Sequence, residues 1–295
     1  MSESTAAALG AALPLLRCPH CRGALHRVAS AVVGCDNGHR FDVARQGYLS
    51  LLGKGSRTDT GDSADMVAAR DSFLGGRHYE PVSAALASAV HRGPVLEIGA
   101  GTGYYLSAVL DRLTALGDSP VGIALDASRY AARRAAGAHC AMASIVADAW
   151  SPLPVLDGAI GGVLSVFAPR DPAEIARVLS PGGRLVVVTP EPDHLSEIRS
   201  AIGLLAVDPG KPERLAGAFA PHFSTVGRRT VRCEMQLNPS EVHALVRMGP
   251  SAHHVSSVRL AAAVAALPDL TAVTLSVTVS VFERHPAAAT ATRPE

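Results

Sequence analysis

Three cysteines and one histidine near the start of the chain have the types and spacing of a metal site: Cys18-x2-Cys21-x13-Cys35-x3-His39. Three thiols cannot pair completely as disulfides. Three thiolates and an imidazole do complete the tetrahedral set that zinc takes. Each ligand pair needs a tight turn, and suitable residues are present. Pro19 stands in the first, and Asn37-Gly38 in the second, where Gly38 can adopt a positive φ. Four protein ligands leave no position for a reacting water, so the ion would be structural. His20 and His26 are spare and read as surface residues. A segment of about 40 residues has too little core to fold alone, and the metal would supply the missing stability.

The second chemical stretch is "LEIGAGTGYY" (96–105), which spaces Glu97, Gly99, Gly101 and Gly103 two apart. Glycines serve where the backbone turns sharply and where a ligand lies against it. The register is G-x-G-x-G with an acid two residues before it, whereas dinucleotide folds use G-x-G-x-x-G. Two acids recur at later strand ends. Asp126 closes "VGIALD", where its carboxylate could take both ribose hydroxyls. Asp148 closes "ASIVAD", where it could accept from an adenine amino group while Ala149 donates its backbone N–H. "LSPGGRLVVV" (179–188) supplies a helix end, a Pro-Gly-Gly turn and a strand. Together these resemble the class I S-adenosylmethionine (SAM) methyltransferases; the competing cofactor is a nicotinamide dinucleotide. The resemblance implies cofactor contacts from Glu97, Gly99, Ala100, Gly101, Thr102, Gly103, Tyr104, Tyr105, Asp126, Ala127, Asp148 and Ala149.

The elements that must hold these residues alternate. Apolar runs at 94–99, 121–126, 143–148, 158–167 and 183–190 read as buried strands. Helical patterns at 103–114, 127–137 and 172–179 lie between them. That alternation predicts an α/β fold, a Rossmann-like doubly wound sheet with a small N-terminal zinc-binding domain. Farther on, strands are expected at 223–233 and 270–284, with helices at 239–247 and 256–267 between them. The expected boundaries are a flexible or loosely helical tail at 1–15, the zinc module at 16–55, and a linker with helices at 56–92. The SAM domain follows at 93–284 and a disordered tail at 285–295.

Composition narrows the function. Aromatic residues make up 4% of the chain, which is thin for a closed apolar acceptor pocket. Net charge is +1, so the whole protein is no polycation. Yet residues 17–57 hold seven Lys/Arg (Arg17, Arg22, Arg27, Arg40, Arg45, Lys54, Arg57) against Asp36 and Asp42, a local +5. A basic module on a mildly acidic body fits nucleic acid, although a solvated surface would give the same count. No apolar run reaches the roughly 18 residues of a membrane span. The start, "MSESTAAALGAALPLL", has no basic n-region, so it does not read as a signal peptide. Reduced ligand cysteines then predict a cytoplasmic protein. Cys140 and Cys233 are isolated and read as buried small hydrophobes.

The joined pattern resembles one family over residues 15–284: the bacterial 23S rRNA (guanine-N1)-methyltransferases, in particular the actinobacterial tylosin-resistance branch. It is carried by the zinc set followed by "GHRFDVARQGYLSLL", then by "DTGDSADMVAARDSFLGGRHYEP", "SVFAPRDPAEIARVLSPGG", "VVTPEPDHLSEI" and "MGPSAHH". Where relatives commonly carry Trp near that last motif, His253 stands here. The resemblance implies methylation of guanine N1 in a domain II hairpin of 23S rRNA, a zinc module that grips RNA, and a homodimer. In this fold "SVFAPR" (165–170) faces the accepting base. Phe167 could stack on a flipped guanine, Ala168 and Pro169 could offer carbonyls, and Arg170 could meet phosphate. His194 could position substrate, and Asp62, Asp193 and His194 are possible acceptors of the N1 proton. Two other readings are a methyltransferase acting on a small natural product, and a non-catalytic zinc-ribbon RNA binder. The intact acids and glycines argue against the second. On a two-module reading, Cys18→Ser should unfold the zinc module and leave SAM binding intact.

Overall fold

A computed structural model describes residues 1–53, 55–56, 61–168, 171–202, 211–249 and 255–286, with backbone only at 211–213 and 215. Pro169, Arg170, His253, Lys54, Arg57 and the tail from 287 lie outside the described residues.

Helix α1 (Glu3–Ala12) opens the chain, and Ser2 caps it by accepting the Thr5 N–H. Three short antiparallel strands follow: β1 (His26–Ala29), β2 (Val32–Gly34) and β3 (Arg40–Asp42). Next come β4 (Leu49–Ser50), α2 (Ala64–Gly75) and α3 (Glu80–Ala89). The alternating part runs β5 (Val95–Ile98), α4 (Tyr104–Ala115), β6 (Gly122–Asp126), α5 (Arg129–Ala135), β7 (Met142–Val146), β8 (Ile160–Val166), α6 (Pro172–Val178) and β9 (Leu179–Pro190). The chain ends with α7 (Ser196–Ile202), α8 (Lys211–Phe219), β10 (Phe223–Leu237), α9 (Pro239–Arg247), α10 (Ser257–Ala265) and β11 (Thr271–Arg284).

One sheet of eight strands has the order β10-β11-β9-β8-β5-β6-β7-β4. The strands from β9 to β4 pair in parallel, and β11 enters antiparallel between β9 and β10. Both faces are covered, so strand residues alternate between two apolar cores. Leu164, Val166, Val186 and Val188 enter the core beneath α2, α3, α4, α9 and α10. Val163, Leu185, Val187, Ile123 and Leu125 enter the opposite one. The strand order reverses beside β5, and open α/β sheets bind ligands at the carboxyl ends of the strands flanking such a point.

The N-terminal tail differs from the sequence expectation. Residues 1–15 form no loose tail: Leu9 and Ala12 are fully buried and α1 packs on the β7 edge. Segment 16–55, expected as the zinc-binding domain, packs directly on the main sheet. Cys18, Leu25, Val33, Cys35 and Phe41 share one buried cluster with Ile123, Ile145 and Ala147 of the main sheet. Leu49 and Ser50, expected in the zinc module, pair in parallel with Ile145 and Val146 of the main sheet. The Arg17 guanidinium reaches Asp157 at 3.2 Å, sealing the junction. The physical reason is burial: a three-stranded ribbon this small cannot cover its own apolar face. Cys140 is exposed and Cys233 half-buried, so neither is the fully buried hydrophobe expected.

Candidate functional site

The four N-terminal ligands converge. One donor atom from each of Cys18, Cys21, Cys35 and His39 lies within 4.8 Å of all the others. The Cys21 and Cys35 sulfurs are 3.5 Å apart, and His39 Nδ1 lies 3.4 Å from Cys35 Sγ and 3.6 Å from Cys18 Sγ. Edges of this length surround a tetrahedral ion with metal–sulfur distances of about 2.3 Å. Local backbone explains the convergence. The Cys18 N–H donates to Gly23 O and the Arg22 N–H to Cys18 O, with Arg22 at φ 63°. The Gly38 N–H donates to Cys35 O, and Gly38 takes φ 82°. A hydrogen bond from the Asn37 side chain and the Gly23 N–H pull the Cys21 thiol down to about 6, toward the thiolate a metal requires. His20 stacks on Phe41 and leans on His39, 4.9 Å between ring centres. The donor set fits a structural zinc.

The glycine turn lies between β5 and α4. Gly99 and Gly101 adopt φ 70° and 55°, where a side chain is strained. A Cβ on Gly99 would stand 2.7 Å from Ala168 Cβ. The turn that would carry cofactor therefore touches the loop that would face the base. Asp126, at the carboxyl end of β6, accepts the Gly101 N–H on Oδ2 and the Ser128 N–H on Oδ1, each at 2.8 Å. Each oxygen keeps lone pairs for a ribose hydroxyl. Ala127 beside it is half-buried.

Asp148 is buried and accepts from the Trp150 N–H at 2.9 Å and the Ser151 hydroxyl at 3.1 Å. It thus shapes the turn that presents half-buried Ala149. Ala100, Thr102 and Tyr105 are buried within the turn and the first turn of α4; Tyr104 is half-buried.

Glu97 faces inward. It is buried and accepts the Leu106 N–H at 3.1 Å, so it fixes the turn from behind. Burial pushes its carboxyl up to about 8. A carboxyl that holds its proton more tightly when folded favours the folded state at low pH. That contribution fades as pH rises from the ordinary range through 8. Glu97→Gln keeps the acceptor and removes the titration. Its melting midpoint should therefore gain on wild type between pH 5 and 8 and level off above. A constant difference across that range would show that Glu97 is ionised in the folded protein.

At the carboxyl ends of β8 and β9, Phe167 and Leu195 are non-glycine residues at φ 51° and 56°. Phe167 is 45% exposed, although it is a large aromatic in a chain with few. Its ring stacks on His194 with centres 6.0 Å apart and planes 22° apart. Strain and exposure together at strand ends mark a working surface. His194 is buried, its Nδ1 accepting the Ser276 N–H at 3.2 Å and its Nε2 lying 3.4 Å from the Tyr79 hydroxyl. Burial, then Arg199, lowers its pKa to about 4, so the ring stays neutral. Tyr79 is itself fully buried, its phenol pushed well up.

Of the three acceptors considered for the N1 proton, each has a partner. Asp193 pairs with Arg232 at 3.0 Å on the surface, Asp62 pairs with Arg70, and His194 is held as described. Asp62 lies at the glycine turn, its carbonyl accepting from Ser128 Oγ, rather than in the Phe167 loop. Tyr79 and Arg70 escaped sequence reasoning, although both lie in the quoted segment "DTGDSADMVAARDSFLGGRHYEP".

The strand order, the glycine turn and the acid closing β6 define a class I SAM-dependent methyltransferase, here fused to a zinc ribbon. Residues 16–55 match the zinc-ribbon family described as "RlmA, N-terminal". The chain is 45% identical over 278 residues to the 23S rRNA (guanine(748)-N(1))-methyltransferase of Streptomyces fradiae, covering 92% of this chain and 97% of that one. It is 44% identical over 287 residues to a relative from Micromonospora griseorubida, covering 90% of this chain and 96% of that one. The chain belongs to the 23S rRNA (guanine-N1)-methyltransferase family. Among the described residues, no helix is long and apolar enough to cross a membrane.

Proposed function

We propose that this protein transfers the methyl group of SAM to N1 of a guanine in a domain II hairpin of 23S rRNA. It does so in the cytoplasm as a homodimer, and the mark lowers macrolide binding of the tylosin type. The observation that carries this reading is Phe167: an exposed, strained aromatic on the loop whose Ala168 abuts Gly99 of the cofactor turn. A flipped base stacked there would lie beside the cofactor.

Bound SAM supplies an already activated sulfonium methyl, so no protein nucleophile is required. The chain's residues position and exclude. Asp126 would hold the ribose, and Asp148 with the Ala149 N–H the adenine. Phe167 offers the stacking face, and neutral His194, fixed between Ser276 and Tyr79, holds Phe167 in place. Ala168 O, which accepts from Ser165 Oγ at 3.5 Å, is a backbone acceptor at the same loop. His194 acts in this arrangement as a support and not as the proton acceptor, because its Nδ1 is already engaged; the N1 proton leaves to water as the methyl is transferred. The basic zinc ribbon supplies the phosphate-facing charge.

Transfer of labelled methyl from SAM to unmodified 23S rRNA, mapped by reverse-transcriptase stops, tests the reading. A single strong stop in the domain II hairpin is expected, because N1-methylation blocks pairing. SAM binding with no label in RNA would instead favour a small-molecule acceptor. Phe167→Ala should lower kcat/KM on RNA roughly 10- to 100-fold, the weight of one base–aromatic stack of about 1–3 kcal/mol. SAM affinity should stay unchanged. Equal loss of SAM binding would place Phe167 in the cofactor pocket instead.

A further inference from the structure

We propose that Trp150 is a stacking platform for an unpaired base of the substrate RNA, a nucleotide flanking the target guanine on the side of the zinc ribbon. This rests on the rRNA reading and deepens it.

Exposure is the first argument. The chain has a single tryptophan, and it is 59% exposed. One apolar residue on a surface is ordinary. The distribution is not. Among the described residues the exposed large aromatics are Tyr130, Trp150 and Phe167, and they follow the carboxyl ends of β6, β7 and β8. Every other phenylalanine and tyrosine is buried or half-buried. The exposed rings therefore gather on the rim that also holds the cofactor turn and the Phe167 loop. Between β8 and β7 stand β5 and β6, so the two strand ends are three strand spacings apart, roughly 14 Å. That is about four nucleotides at the roughly 3.4 Å rise of a stacked strand.

Anchoring is the second argument. The Trp150 N–H donates to Asp148 Oδ1 at 2.9 Å. Farther along the same loop, the Leu153 N–H donates to Glu174 Oε2 at 2.8 Å. Arg177 donates to Leu153 O at 3.0 Å and to Val155 O at 2.7 Å. The ring is thus exposed on backbone that is fixed before RNA arrives, which lowers the cost of ordering it.

The third argument is charge. The Trp150 loop runs directly to the ribbon: the Leu156 N–H donates to Leu15 O at 2.9 Å and the Arg17 N–H to Pro154 O at 3.1 Å. Arg22, Arg27, Arg40 and Arg45 of the ribbon are exposed. On the neighbouring strand end the exposed Arg129 guanidinium lies over the Tyr130 ring, 5.3 Å from its centre. Aromatic faces set among cations suit single-stranded RNA, whose bases stack and whose phosphates need positive charge.

Two other occupants compete for this ring: the adenine of the cofactor, expected beside Ala149, and a second copy of the chain. Because Trp150 is the only tryptophan, its emission and the quenching of that emission by acrylamide report this ring alone. On the full-length, zinc-loaded protein, an unmodified RNA hairpin of the domain II sequence should alter the emission and shield it from acrylamide. S-adenosylhomocysteine alone should do neither. Trp150→Leu should raise Kd and KM for the hairpin roughly 10- to 100-fold, the weight of one base–aromatic stack. It should leave kcat and S-adenosylhomocysteine affinity within about twofold, as expected for binding that is uniform along the reaction. Trp150→Phe should recover most of the loss. Shielding by S-adenosylhomocysteine alone would put the ring over the adenine, and shielding that grows with protein concentration in the absence of RNA would put it between two copies. Either result, or RNA binding with unaltered emission, would overturn the proposal. If wild type methylates the hairpin and Trp150→Leu matches it, this proposal alone falls; a wild type that transfers no methyl to RNA is instead the failure of the rRNA reading.

Discussion

Replacing Cys18 by serine is expected to empty the zinc site and lower the melting midpoint of the whole chain by roughly 10 °C or more. Structural zinc contributes about 10 kcal/mol or more of apparent binding free energy in small modules. A folded domain has only about 5–15 kcal/mol in total. The loss cannot stay local. Cys18 is fully buried and shares its cluster with Leu49, Ile145 and Ala147. Leu16 bridges to Val155, and the Arg17 N–H donates to Pro154 O. Unfolding the ribbon would therefore strip an edge from the sheet and expose the underside of β7. S-adenosylhomocysteine affinity should fall as well. Asp62 comes after β4 in the chain, and its carbonyl is held by Ser128 beside Asp126. The sequence expectation of intact SAM binding is thus replaced by one of coupled loss. Metal analysis, a thermal melt and calorimetry on the variant decide it. Full cofactor affinity in a zinc-free chain would restore two independent modules.

Gly99→Ala should cost cofactor affinity about 30-fold or more, through two additive penalties. The first is backbone strain: φ 70° costs a residue with a Cβ roughly 1–2 kcal/mol. The second is contact: the new methyl would stand 2.7 Å from Ala168 Cβ, and one of the two loops must move. Overpacking of this kind costs typically about 1–3 kcal/mol. Gly117→Ala separates the two contributions. Gly117 has φ 92°, but a methyl added there would meet nothing within 4 Å, so it should show strain without the clash. The Gly99 variant should lose S-adenosylhomocysteine binding and methyl transfer. The Gly117 variant should lose only some stability. Equal behaviour of the two would mean that the contact between turn and loop is unimportant.

The parts of the site readable in the sequence are those whose partners are close along the chain. Cys18 with Cys21, and Cys35 with His39, lie three and four residues apart, and turn chemistry alone brings each pair together. Five of the six parallel strands were legible because both faces of the sheet are covered, so each reads as a continuous apolar run. Glycine spacing fixed the turn before α4 for a similar local reason. Other features depended on distant partners. Glu97 was expected to touch cofactor, yet it points into the core, because the choice between two faces of a turn is made by what packs on each. Asp62 was considered as a proton acceptor, yet it is bound to Arg70 at the other side of the pocket.

The sequence by itself determined the metal tetrad, the glycine turn, the strand–helix alternation and the family, because each is written in spacings of a few residues or in extended identity. Tertiary structure decided the rest. It folded α1 and the ribbon into one core with the sheet, and it placed Tyr79 under His194 across 115 positions and Arg70 against Gly101. Burial also shifted the Glu97 carboxyl upward and the His194 imidazole downward from their ordinary pKa values. Burial and charge–charge distance are properties of neighbours in space, and local sequence does not fix which distant residues those neighbours will be.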